Sequence, residues 1–579
     1  MPRPGACSGP GEAVVKKGGA QGIRLWPAIL IVAAAAAFLI WNWSFDDPDF
    51  RQLHVVRSLV AGLLSGVLLL VWWLFFSRLG WIVRLAGLAL VGAVVFALGS
   101  RYELRGFSGD LVPQIVPRDT AGLPPLPPLP AAEAAEPESD PEPAAAAPAV
   151  PAAASAEEEA AVTAGAAPDP PAVAEVAPVA ASGPAFPQFL GPTRNARLAD
   201  PGLVRDWRAH PPRELWRQPL GKGWAGFAVA SGLAVTQEQR EGREAVVAYD
   251  LEDGRPRWSH RREAGFESPL AGDGPRATPS IADGTVYALG GTGLLAALDL
   301  ETGALQWERD VLADTGARRP SHGVAASPLV MGELLVVLAG GPEGRSLIAL
   351  DRASGELRWS GGDDRAAYSS PLLATLDGVR QIVAFNQVHV TGHDPTTGEV
   401  LWSHPWPQGA ERVAQPLPLA GDRLFVSTGY GIGGQMLRIR RGADGDFDVE
   451  SLYETRRLKA KFTQVVEHEG LLYGLDDGVL VCLDPETGER RWKRGRYGHG
   501  QLLLVGKLLL LQAEDGGVVL IEPDPKALVE LGRFQAVGGR AWATPALAGD
   551  RLIVRGELEV ACYRLPTAAA EPASAPAEP

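Results

Sequence analysis

Six polar side chains stand at the ends of apolar runs in the second two-thirds of the chain: Gln239, Arg276, Tyr368, Arg496, His499 and Glu514. Their types suit binding. An arginine fork recognises carboxylate or phosphate oxygens, an imidazole exchanges protons near neutral pH, and Tyr, Gln and Glu supply oriented polar contacts. Each also has a plain structural reading. Arg276 and Arg496 are equally suited to holding neighbouring carbonyls, His499 lies between two glycines as a turn residue would, Glu514 suits an ion pair, and Tyr368 suits a loop anchor. No carboxylate cluster has the oxygen-ligand spacing that calcium needs. No catalytic and no metal-ligating residue is therefore assigned. Of the three cysteines, Cys7 precedes the first apolar run, and Cys482 and Cys562 sit in separate apolar strands as small buried hydrophobes.

The elements that position these residues form a repeat. From Phe186 onward an apolar strand ends in Asp, a Gly follows four residues later, and a Trp stands eight residues after the Asp. The copies are Asp250–Gly254–Trp258, Asp299–Gly303–Trp307, Asp351–Gly355–Trp359, Asp394–Gly398–Trp402 and Asp484–Gly488–Trp492. The Trp spacings are 49, 52, 43 and 90 residues, and the last is two periods, so a degenerate copy lies near Ile439–Gly442–Leu452. Weak copies follow, ending at Glu522 and at Cys562–Tyr563, and Trp216 stands alone before the first. The Asp bonds its own downstream backbone and the Gly takes a positive φ, which makes each Asp–Gly segment a hairpin turn. Short β-branched strands at this period indicate a β-propeller rather than a helical solenoid. The copies give eight blades, with seven possible because the fifth and seventh copies are weak, and Trp216 on the outermost strand of the last blade, closing the ring. Trp216, Trp258, Trp307, Trp359, Trp402 and Trp492 are read as blade-docking residues, because each offers a large apolar contact. The connections from each Trp strand to the next inner strand, such as Ser259–Ala277 and Glu308–Ala326, exceed what hairpins require, and long loops on a rigid ring are where binding is expected.

Before the repeat, Trp26–Trp43, Ser58–Phe76 and Trp81–Gly99 are apolar runs of the length that crosses a bilayer. Lys16, Lys17 and Arg24 precede the first, and Arg78 and Arg84 flank the turn between the second and third. Asp46, Asp47 and Asp49 lie in the other loop. The positive-inside rule places the N-terminus in the cytoplasm and the propeller across an inner (plasma) membrane, on the periplasmic or extracytoplasmic side. Residues 121–185 hold fifteen prolines and ten acidic residues with no Lys or Arg, a composition of a disordered, semi-extended spacer. The formal net charge is −14, and removing these ten and Glu571 and Glu578 of the tail leaves −2 for the rest. A nearly neutral folded part excludes a basic nucleic-acid binder, and three cysteines exclude a disulfide scaffold. The division is a cytoplasmic N-terminus at 1–24, a membrane domain at 25–100, a disordered linker at 101–185, the propeller at 186–566 and a disordered tail at 567–579. The fold class is all-β with three transmembrane α-helices ahead of it.

The Asp-x-x-[Thr/Ser]-Gly-x-x-x-Trp repeat resembles the pyrroloquinoline-quinone (PQQ)-like propeller superfamily, which includes quinoprotein alcohol dehydrogenases and the BamB lipoprotein of the outer-membrane β-barrel assembly machinery. Phe186-Pro-Gln-Phe-Leu-Gly-Pro192, Gly272-Asp-Gly-Pro-Arg-Ala-Thr-Pro279, Tyr368-Ser-Ser-Pro371 and Gly495-Arg-Tyr-Gly-His-Gly500 are similar to segments of BamB-like propellers of planctomycete-type bacteria. The resemblance implies tryptophans that dock each blade on the next, and it leaves two activities in view. One is a scaffold that binds proteins or ligands in the cell envelope, without cofactor, with membrane lipid and envelope or secreted proteins as partners. The alternative is a membrane quinoprotein dehydrogenase holding PQQ with calcium and oxidising alcohols or sugars. Such enzymes use two adjacent cysteines in many cases, and Cys482 and Cys562 fall in separate blades. The family pattern also carries Trp before the Gly-Val of the third inner strand and Asn at two later points. Here these are His322, Ala543 and Gly556, departures that remove part of any shared site. The scaffold is the reading the residues favour.

Overall fold

The computed structural model describes residues 24–44, 51–118, 126–132, 185–268 and 271–568. They divide into two units, Met1–Arg105 with Asp110–Thr120, and Gly106–Gly109 with Ala121–Pro579. The first unit contains three helices long and apolar enough to cross a bilayer: Trp26–Ser44, Arg51–Phe76 and Trp81–Arg101. The second begins before the expected Ser58, because its first two turns carry Arg51, His54 and Arg57 ahead of the apolar run. Asn42 pins the first helix to the second, its Nδ2 donating to the His54 carbonyl at 2.9 Å and to Ser58 Oγ at 3.1 Å.

The second unit is an eight-bladed propeller. Blade one runs outward from the channel as Ala228–Ala230, Leu233–Arg240, Arg243–Asp250 and Pro256–Arg261, each strand antiparallel to the last. Six further blades follow the same plan. Blade eight is Ala546–Ala548, Arg551–Arg555 and Glu559–Arg564, completed by Arg213–Pro219 from the start of the domain, with Cys562 opposite Trp216. The ring has eight blades, not seven, and it closes through the Trp216 strand.

The repeat motif is an inter-blade joint. Trp216, Trp258, Trp307 and Trp492 each donate their indole N–H to a backbone carbonyl of the following blade, at Leu251, Leu300, Arg352 and Asp524, over 2.8–3.0 Å. The Trp rings press on the turn glycines of that blade. A β-carbon on Gly355 would lie 2.8 Å from Trp307, and Gly398 packs against Trp359 in the same way. The glycine is thus required twice, for its positive φ and for the space the ring occupies. In blade five the docking residue is Tyr453, not Leu452: it stands opposite Met436 and donates its hydroxyl to the Pro485 carbonyl at 2.8 Å, with its ring against Gly488. Blade five has a wide hairpin between Arg441 and Phe447 instead of the Asp–Gly turn. Trp402 therefore packs with blade-five residues Leu424 and Leu437 but donates its N–H to Gln381 of its own blade.

Two further features bind the ring. Near the start of the innermost strands, backbone N–H groups donate to the side chain of the next blade: Gly226 to Thr278, Thr278 to Ser327, Ser327 to Ser370, Ser370 to Gln415 and Gln415 to Gln464, over 2.9–3.2 Å. This chain of bonds follows the channel wall through six blades. The channel itself is crossed by residues 186–198. Phe186 pairs with Val229 of blade one, the Pro187 carbonyl accepts from Ile281 of blade two, and Arg194 donates to Ser327 and Pro328 at the start of blade three. Arg197–Leu198 then adds parallel to Leu504–Val505 of blade seven. Innermost strands face the axis, so a segment that bonds four of them lies inside the ring. Burial holds the Arg194 guanidinium down to about 9, and its carbonyl partners compensate the lost water.

Within the stretch read as a disordered linker, 101–185, the described residues include two short strands, Tyr102–Phe107 and Pro113–Pro117, and an extended segment at 126–132. Ala131 bridges Ser259 on the outer edge of blade one, and the Pro127 and Pro130 carbonyls accept from Arg240 and Ser259. Proline cannot donate to a ladder but its carbonyl still accepts, so a proline-rich segment can cover an edge. Residues 119–125 and 133–184 of the expected linker, and most of the expected tail, lie outside the described residues. Thr567 pairs with Leu203, which carries the propeller slightly past 566.

Candidate functional site

Antiparallel blades put two kinds of connection on one face of the ring: the hairpins between second and third strands, and the links from each outer strand to the next blade. Gln239, Arg276, Tyr368, Arg496, His499 and Glu514 all lie in or beside these connections. The face they share is the loop face, and they do not form a single cluster there.

Three of the six have structural partners. Gln239 is buried, and its side-chain oxygen accepts from Phe266 N at 2.7 Å, fixing the loop after blade one. Arg276 donates to the Ala271, Gly272 and Gly274 carbonyls of its own loop and lies over the Phe266 ring at 4.8 Å. Burial pushes its guanidinium down to about 10. Arg496 is exposed and donates to the Asp477 carbonyl at 3.2 Å.

His499 and Glu514 come together over blades six to eight. Glu514 Oε1 accepts from Trp542 Nε1 at 3.0 Å and from Gly109 N at 2.6 Å, and its Oε2 accepts from His499 N at 3.0 Å. The His499 ring stacks near Phe462 at 5.1 Å. Residues Gly106–Gly109 thus lie in a groove on this face. Lys461 donates to the Gly109 carbonyl and Arg540 to the Phe107 carbonyl at 2.7 Å. Arg540 is itself held by Glu557 at 2.7 Å and lies over both Trp224 and Trp542, at 5.2 and 5.0 Å. Gly109 packs directly on the His499 ring and Gly106 on the Arg540 guanidinium, with no room for a β-carbon at either. Three main-chain groups of the segment, the Gly109 N–H and the Gly109 and Phe107 carbonyls, are thus matched by a carboxylate, an ammonium and a guanidinium. The aromatic and basic residues that build it, Trp224, Lys461, Arg540 and Trp542, were not singled out from sequence. The available signal was a pair of tryptophans, Trp224 and Trp542, standing outside the repeat register.

Tyr368 belongs to a second site. It lines a polar cavity of about 480 Å³ over blades three to five, with Arg318, Arg319, Ser321, Arg365, Glu411 and Arg412 among its walls. The Tyr368 hydroxyl meets Ser321 Oγ at 3.0 Å and accepts from His322 N at 3.2 Å, tying two loops together. His322 occupies the point where the family pattern has Trp, and its ring lies 5.7 Å from Tyr368.

Among the described residues no group of three or more His, Cys, Asp and Glu could hold a metal ion. Glu514, the carboxylate of the groove, already accepts from three donors. No step is derived through a quinone or calcium.

Fold and repeat together define a PQQ-repeat β-propeller. A family model for this class, described as "Outer membrane protein assembly factor BamB", matches residues 201–321 and 271–494, just over half the chain, and the chain belongs to that family. No curated protein matches the sequence significantly. Similar solved structures have low identity to this chain. BamB from Moraxella catarrhalis is 16% identical over 61% of this chain and 100% of its own, with a TM-score of 0.43. A europium-containing methanol dehydrogenase is 13% identical over 66% and 98%, with a TM-score of 0.49. The quinohemoprotein alcohol dehydrogenase from Comamonas testosteroni is 13% identical over 66% and 80%, with a TM-score of 0.47.

Proposed function

We propose that this chain is a membrane-anchored scaffold of the cell envelope whose propeller binds polypeptide on its loop face. The observation that carries the reading is the groove holding Gly106–Gly109 through main-chain groups, with Glu514, Lys461 and Arg540 as the partners. Main-chain recognition tolerates many sequences, which suits a protein that handles varied clients. The family description, an outer-membrane protein assembly factor, agrees with secreted or outer-membrane proteins as those clients. In this reading three apolar helices are the anchor, and the basic residues around them support an extracytoplasmic propeller at the inner membrane. No cofactor, metal or nucleic acid enters this proposal. No observation favours the quinone-dependent dehydrogenase.

The test uses the full chain in detergent and a capped Gly-Phe-Ser-Gly peptide, the sequence of residues 106–109. In the wild type the internal segment competes with the peptide. Gly109→Leu expels that segment, so the labelled peptide should bind this variant more tightly by fluorescence anisotropy, and adding Glu514→Gln and Lys461→Met should abolish the gain. Equal binding by all three proteins, or oxidation of alcohols with an artificial acceptor once PQQ and calcium are added, would overturn the reading.

A further inference from the structure

The cavity beside Tyr368 holds more positive charge than its surroundings neutralise. Arg318, Arg319, Arg365 and Arg412 line it against a single carboxylate, Glu411. Among the described residues, the guanidiniums of Arg318, Arg319 and Arg365 make no hydrogen bond or ion pair; Arg319 only lies 5.6 Å from the Phe266 ring. Glu411 does not pair with them either, and its nearest basic partner is His322 Nε2 at 3.8 Å. The fourth arginine is occupied: Arg412 is buried and donates to the Ala410 and Pro407 carbonyls.

This concentration of charge is local. Outside the linker and tail the chain carries a formal charge of −2, so a wall of three unpaired arginines does not reflect a general excess. Like charges facing one cavity repel, and an anion that enters gains from all of them. The loops that present them are held in place. Asp310 caps the short helix Val311–Thr315, Gly316 ends it in a left-handed turn, and the Tyr368 hydroxyl fixes Ser321 and His322. A guanidinium presented on an ordered loop pays less ordering entropy on binding. Hydroxyls of Ser321 and Tyr368 and the amides of Gln387 and Gln408 complete a polar lining. A volume of about 480 Å³ matches a small-molecule site rather than a protein interface.

We propose that this cavity binds a small multivalent anion, with two or more carboxylate or phosphate groups, engaged by Arg318, Arg319 and Arg365. The site is separate from the peptide groove. Tyr430 lies between the two, lining the cavity while its ring faces the Lys461 ammonium at 4.6 Å.

Calorimetric titration of the full chain in detergent at low ionic strength, with citrate and with inorganic pyrophosphate, tests this. The arms separate carboxylate from phosphate ligands. Saturable binding of one or both is expected, weakening as salt is added. Each of Arg318→Ala, Arg319→Ala and Arg365→Ala should lower affinity about tenfold, the scale of one charge-assisted hydrogen bond. Arg365→Lys should keep part of it, and Glu411→Gln should raise affinity severalfold by removing the opposing charge. Arg255→Ala, on the opposite face, should change nothing. Unchanged affinity in the cavity variants, an equal loss in Arg255→Ala, or binding of a Glu-rich peptide with neither small anion would overturn the proposal. Gly109→Leu should bind both anions like the wild type, so failure here is distinguishable from failure of the peptide groove.

Discussion

The Trp216 ring packs against the α-carbon of Gly254 across the seam where the ring of blades closes. A β-carbon on Gly254 would lie 2.5 Å from that ring, and Gly254 adopts φ +72°. The same indole donates its N–H to the Leu251 carbonyl. Trp216→Ala should therefore destabilise the propeller by about 3–5 kcal/mol, the usual range for removing a buried Trp. Gly254→Ala should cost a comparable amount through strain and clash. The two losses should be less than additive in the double variant, because both act on one contact. Thermal melts of the three variants check this.

Lys459 and Asp476 form a buried ion pair at 2.6 Å, and Lys493 reaches the other carboxylate oxygen of Asp476, also at 2.6 Å. Lys459→Met leaves the carboxylate short of one partner inside the protein, which costs about 3–5 kcal/mol. Adding Asp476→Asn should restore part of the stability. A double variant no better than Lys459→Met in a chemical melt would contradict the assignment.

Asp477, next along the chain, is pushed up to about 6 by burial, against the opposing pull of Lys459, His499 and Lys461. Its folded value lies above its unfolded value of 3.8, so the unfolded chain ionises first as pH rises. This penalty on folding is absent below about pH 4 and complete above about pH 6, and amounts to at most about 3 kcal/mol. Asp477→Asn should raise Tm at pH 7.5 relative to the wild type, and the part of that gain due to ionisation should vanish by pH 4. Because Asp477 has φ +45°, Asn also relieves some backbone strain; that part of the gain is the same at every pH.

Cys482 and Cys562 are both fully buried free thiols, and burial pushes Cys562 up to about 12. In a Cys7→Ser background the native protein should give no reaction with a thiol reagent, and two thiols should appear on unfolding. Reaction in the native state would mean that blades six and eight open locally.

Alkaline phosphatase is active only outside the cytoplasm. Fused after Leu565 it should be active, and fused after Arg78 it should be inactive. The reverse pattern would invert the proposed topology.

Much of the ring was legible because its signal is local and periodic. The Asp–Gly turn and the Trp eight residues on lie within one hairpin, so five blades could be read directly and the others by spacing. Blade five was harder, since Tyr453 replaces Trp and the wide hairpin from Arg441 to Phe447 removes the turn. The binding surfaces were less legible for a different reason. Glu514 and His499 were singled out, but what they bind, Gly109, lies hundreds of positions earlier in sequence. Arg318, Arg319 and Arg365 become a site only when blades three to five bring their loops to one cavity. Arg194 and Arg555 gave no sign of burial, since a carbonyl partner leaves no trace in side-chain spacing. Arg555 donates to the Ala225, Gln237 and Gly221 carbonyls from a position with 1% exposure.

The strand that crosses the channel has a consequence for the order of assembly. Residues 186–198 emerge from the ribosome before any blade exists, yet their resting places include Leu504 and Val505, made some three hundred residues later. Arg213–Pro219 likewise waits for Glu559–Arg564. Phe186 can pair with Val229 as soon as blade one is made, but Arg197–Leu198 waits for blade seven and Arg213–Pro219 for blade eight. Pairings of such sequence separation fold slowly. A chain released short of blade eight would carry an open seam, with Arg213–Pro219 left unpaired for the quality-control machinery, or for another copy, to find.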